Sequence, residues 1–146
     1  MSEFRLRPKD DYVLVTKWDK LFVLTQHWIS DLRFYQDDLR FFKQLIKRYF
    51  IWINTDKHQR EVEIILNAVN KLAHKAEDLI KKTSGHLGHI KDIIDEPFTH
   101  DSQKFREEHQ DLEYEIAVFV KTCRDQRDQV FSVIEHVVDK ERLQEM

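Results

Sequence analysis

Apolar side chains recur every seven residues along most of this chain, and that period commits it to helices lying side by side. In the first third, Leu21, Trp28, Tyr35, Phe42 and Tyr49 form one row, with Leu32, Leu39, Ile46 and Ile53 in the row beside it. Val62, Val69, Ala76, Thr83 and Ile90 keep the period in the middle third, flanked by Ile65, Leu72, Leu79, His86 and Ile93. The last third carries Phe105, Leu112, Phe119 and Val133 beside His109, Ile116, Cys123, Val130 and Val137.

Interruptions are few. Two glycines and two prolines in 146 residues leave too few turns for a fold of many short strands. Breakers fall at Pro8, at Asn54-Thr55-Asp56 and at Asp95-Glu96-Pro97, which delimits an N-terminal arm over 1–15 and a single domain over 16–146. Thr16 with Asp19 three positions on resembles a capping box and marks the expected start of the first helix. Three segments of about 36 to 45 residues make rods of roughly 55 to 65 Å, and connections this short force neighbours to run in opposite directions. The expected fold is therefore all-α, an antiparallel up-down-up bundle of three long helices. Ala73 and Ala76 leave room in it for the rings of the first helix.

The apolar surface exceeds what such a bundle needs to bury. Phe34, Phe41, Phe50 and Trp52 lie outside the main stripe of the first helix, and Tyr114, Val118, Phe131 and Val138 outside that of the third. A second apolar face implies association, with a homodimer as the expected form and a helical protein as another partner; the competing reading is a monomer in which these residues are merely half-exposed. Formal charge divides as +3 up to Asn54, −1 from there to Pro97 and −5 beyond, an asymmetry that can help to set pairing order.

Several function classes drop out. A net charge of −3 provides no global attraction to nucleic acid, and the basic residues of the first helix (Arg33, Arg40, Lys43, Lys47, Arg48) alternate with Asp31, Asp37 and Asp38. Charges interrupt every apolar run short of the roughly 20 residues that a membrane span requires. No signal-peptide pattern follows the first eight residues, and a lone cysteine forms no internal disulfide, so the expected setting is the cytoplasm, with Cys123 a buried and inert thiol. Glycine-rich phosphate loops, nucleophile elbows and zinc-spaced cysteine pairs are absent.

Histidine provides the one candidate site. His86 and His109 lie equally far from a turn centred between Pro97 and Phe98, and reflection through Thr55 sets His27 opposite Thr83, about 5 Å from the height of His86. Asp31 follows His27 at i+4, and Glu113 follows His109 at i+4, each pair sharing a helix face. His27, His86, His109, Asp31 and Glu113 together are the donor types with which helical bundles hold iron, manganese or zinc. The competing reading is a structural polar layer that fixes register or responds to pH, with no cofactor. His86 belongs to the core stripe, whereas His27 and His109 occupy flanking rows where a ring keeps a wet edge. The same reflection levels His58 with His136 in a place expected to be mainly solvent. His74, His89 and His100, the last near the final turn, read as surface residues unless the second helix is kinked. Gly85 and Gly88 weaken the second helix beside His86, implying a kink, a local break or the close approach of another helix.

Two resemblances attach to these residues. The His-x-x-x-Asp/Glu spacing resembles that of hemerythrin-like bundles, although that family's fourth helix and remaining histidines have no counterpart here, so the likeness implies ligand types and no activity. The run His27-Trp28-Ile29-Ser30-Asp31-Leu32-Arg33-Phe34-Tyr35, followed by Asp38-Leu39, resembles a signature of bacterial all-helical proteins without an assigned activity. It covers the first helix only. The expected function is a non-catalytic scaffold or interaction protein, with a metal-binding bundle as the alternative.

Overall fold

The computed structural model describes residues 17–50, 56–96 and 102–145, and among these only Lys17 and Glu96 lie outside a helix. Helix α1 spans Trp18–Phe50, α2 spans Asp56–Asp95 and α3 spans Ser102–Glu145, rods of about 50, 60 and 66 Å. The three pack together, α1 and α2 most extensively. The amide groups of Lys20 and Leu21 both donate to the Lys17 carbonyl, so Lys17 is the N-cap of α1. Thr16, expected in that role, lies outside the described residues, as do the arm over 1–15, Trp52 and His100; the side chain of Val138 lies outside them too.

Periodicity sorts the side chains as expected. Trp28, Leu32, Tyr35, Leu39, Phe42 and Ile46 of α1 join Val62, Val69, Ala76 and Leu79 of α2 and Leu112, Ile116, Phe119, Cys123 and Val130 of α3 in one long core cluster. Phe50, expected outside the stripe, packs partly against this cluster. A second, smaller cluster of Leu21, Ile90, Ile93 and Phe105 closes the other end.

Contacts between helices follow a regular order. Trp18 meets Phe105, Trp28 meets His109 and Phe42 meets Phe131, so numbers rise together along α1 and α3. His89 and His86 of α2 meet Phe105 and His109 of α3, while Lys82 and Lys75 both reach Glu115.

Gly85 and Gly88 correct an expectation. Helix α2 runs through both without a break, neither glycine has positive φ, and a Cβ added at either would meet nothing within 4 Å. No close helix approach requires them. Each costs the helix only about 1 kcal/mol, and the buried residues Leu79, Thr83, Ile90 and Ile93 on both sides hold the helix in place against that weakness.

Candidate functional site

The two core clusters are separated by a layer to which every helix contributes a buried polar side chain. On α1, Thr25 lies between Leu21 and Trp28; on α2, Thr83 and His86 lie between Leu79 and Ile90; on α3, His109 lies between Phe105 and Leu112. Thr25, Thr83 and His109 are fully buried, and His86 is half-buried.

Burial makes each of these groups find its own solution. Thr25 donates its hydroxyl to the Leu21 carbonyl at 2.7 Å, one turn back on its own helix. Thr83 has no hydrogen-bond partner for its Oγ1. His86 Nε2 and His109 Nδ1 lie 2.8 Å apart in a hydrogen bond, in which one ring donates and the other accepts. Aromatic rings clamp the pair from both sides: Trp28 stacks on His109 at 4.5 Å and Phe105 on His86 at 4.3 Å. Trp18 meets the edge of Phe105 and carries the Arg106 guanidinium over its own ring at 3.9 Å. Desolvation, reinforced by the neighbouring His89, lowers the pKa of His86 to about 4, so the ring is neutral at physiological pH.

The candidate residues divide accordingly. His86 and His109 come together. His27 is exposed on α1, because Thr25 and Trp28 occupy the inward positions of that turn. Asp31 is half-buried on α1 and Glu113 is buried on α3, one turn after His109. Among the described residues no group of three or more His, Cys, Asp or Glu side chains is arranged to hold a metal ion. The ring nitrogens of His86 and His109 that face each other are already engaged.

Other histidines depart from expectation. His109 is fully buried rather than keeping a wet edge, because it continues the inward row of Phe105, Leu112 and Ile116. His58, expected in solvent, is buried for the same reason, one turn ahead of Val62 on the inward row of α2. His89, expected at the surface, lies half-buried with Phe105 edge-on to its ring. His74 and His136 are exposed. Sequence reasoning missed Thr25 and Thr83 as layer members, although Thr83 stands in an otherwise apolar row.

Away from the layer, Glu115 accepts from Lys75 and Lys82, each at 2.8 Å, and these two hydrogen bonds hold its carboxyl below the usual range. Cys123 is a free, buried thiol, pushed up to about 12 by desolvation and by Asp38, and a thiol protonated at neutral pH is a poor nucleophile. No described helix is long and apolar enough to cross a membrane. No family model matches the chain, and no curated protein or solved structure is significantly similar to it.

Proposed function

We propose that this protein is a non-catalytic helical scaffold, an up-down-up bundle that associates through apolar surface its own three helices leave uncovered. The observation that carries the reading is the exposure of five side chains singled out for such a face: Phe34, Phe41, Tyr114, Val118 and Phe131 are each 42% to 52% exposed. They flank two seams. One, between α1 and α3, is lined by Phe34, Leu39, Phe42 and Cys123; the other, between α2 and α3, by Leu72, Tyr114, Val118 and Phe119. Large aromatic side chains at such positions supply most of the energy of helix-mediated interfaces.

Alternating helix directions are supported by the order of interhelical contacts: rising together between α1 and α3, opposed between α2 and α3. The histidine layer serves this scaffold by fixing register. An apolar heptad can slide by one repeat at small loss, but a slide of α2 past α3 would separate His86 from His109 and leave buried nitrogens unpaired. A reducing, cytoplasmic setting belongs to the same reading, supported by the free Cys123.

Light scattering coupled to size exclusion tests it. The expected mass is twice 17.8 kDa and independent of dilution through the low micromolar range. A mass of 17.8 kDa at every concentration would remove self-association.

A further inference from the structure

We propose that the seam between α1 and α3 is the self-association interface, formed with a second copy whose two-fold axis runs along the bundle, so that α1 of each copy lies over α3 of the other. This rests on the scaffold reading above and adds the face, the partner and the orientation.

The seam has two unlike rims at one height. On α1, Phe34, Asp37, Asp38 and Phe41 follow each other at helical spacing; on α3, Arg124, Arg127 and Phe131 do the same. Phe131 meets Phe42 edge to face at 5.6 Å, and Phe41 lies against Phe42 at 6.0 Å, which joins the rims through aromatic rings. The groove between them has Asp38 on its α1 wall and Arg124 and Arg127 on its α3 wall. Asp37 sits beside it, exposed, with Arg40 as a surface partner at 3.5 Å. The Nη2 atom of Arg124 is buried and has no hydrogen-bond partner.

Charge selects the occupant and the orientation. Within the groove, Asp38 on the α1 wall and Arg124 and Arg127 on the α3 wall form a pattern complementary to itself, the requirement of an isologous contact, while exposed Arg40 and Asp128 lie outside it. Rotation about an axis along the helices places the acidic α1 rim of each copy over the basic α3 rim of the other at the same height. Rotation about an axis across the helices would place α1 over α1, acid against acid. In the first arrangement the partner's Asp37 and Asp38 supply acceptors that the Arg124 guanidinium reaches by swinging outward, while Phe34, Phe41 and Phe131 bury their exposed faces between the copies.

The test is a pair of charge reversals weighed by light scattering and checked for folding by circular dichroism. One chain carries Asp37→Lys and Asp38→Lys, the other Arg124→Glu and Arg127→Glu. The wild type is expected at twice 17.8 kDa, each reversed chain alone at 17.8 kDa, and their equimolar mixture again at twice that mass. A monomeric wild type would overturn the scaffold reading and this inference together. A dimeric wild type with reversed chains that also dimerise alone would leave the scaffold reading standing and overturn the seam. Two folded monomers that fail to combine on mixing would overturn the orientation. Should either reversal unfold, Phe41→Gln on the exposed rim gives the second readout: at least a tenfold rise in the dimer Kd is expected, and an unchanged Kd overturns the proposal.

Discussion

Leu39, Ile46, Val69 and Val130 belong to a stretch of the bundle closed mainly by apolar side chains, with Gln126 buried one turn before Val130, whereas the layer of Thr25, Thr83, His86 and His109 takes a polar group from every helix. The two stretches share helices, period and depth of burial. Their difference shows what each kind of residue contributes: apolar rows supply stability and tolerate a slip of one heptad, while a polar pair bonded between two helices, as His86 and His109 are, gives up stability and is satisfied only in the register in which its members meet. The aromatic clamp of Trp28 and Phe105 extends that constraint, since flat rings stacked on both imidazoles leave the pair one arrangement.

The sharpest contrast comes from truncation in the apolar stretch. Leu39→Ala removes a fully buried side chain from the long cluster and is expected to cost about 2 to 5 kcal/mol in urea unfolding. A cost below about 1 kcal/mol would mean that this stretch is loosely packed and the comparison void.

Acid is the next largest lever, and within the core it acts on the polar layer through His86. The folded-state pKa of His86 lies below its ordinary 6.5, so folding disfavours the charged ring. The stability that follows is present in full above about pH 6.5, declines as pH falls below that value and is gone once pH has passed below about 4. Thermal melts of His86→Leu across this interval should show a flatter slope than those of wild type. Equal slopes would place the titration elsewhere.

Thr83→Val tests the hydroxyl with no partner. Removing an unsatisfied buried donor while keeping the shape is expected to raise stability by about 1 kcal/mol, where the same change at Thr25, which donates to Leu21, should gain less. Smaller still is the effect at the exposed glycines. Gly85→Ala and Gly88→Ala should each stabilise α2 by up to about 1 kcal/mol, because both sites are helical with open space around them. A loss at either would show that α2 needs flexibility at these positions.

Much of this architecture was legible from spacing. The rows through Leu21, Val62 and Phe105 place the three helices and most of their inward residues, and the surplus rings Phe34, Phe41 and Phe131 announce an uncovered face before any coordinates. Less legible was which flanking row the third helix would cover. His27 and His109 looked equivalent by period, yet one is exposed and the other fully buried, because the turn of α1 already presents Thr25 and Trp28 inward. His58 was misplaced for a related reason: reflection through a turn fixes height along a bundle and says nothing about azimuth. The glycines misled through propensity, which weighs a residue in isolation and omits the buried neighbours that keep the helix continuous.

The claim on which the rest depends is that His86 and His109 act as one unit inside the core, and a double-mutant cycle at pH 7 measures it directly. His86→Leu and His109→Leu are each expected to lose about 1 to 3 kcal/mol, since either leaves a buried ring nitrogen unpaired. The double variant is expected to fall short of their sum by about 1 kcal/mol or more. Strict additivity would contradict the account, because two histidines that do not sense each other cannot set the register of the helices that carry them.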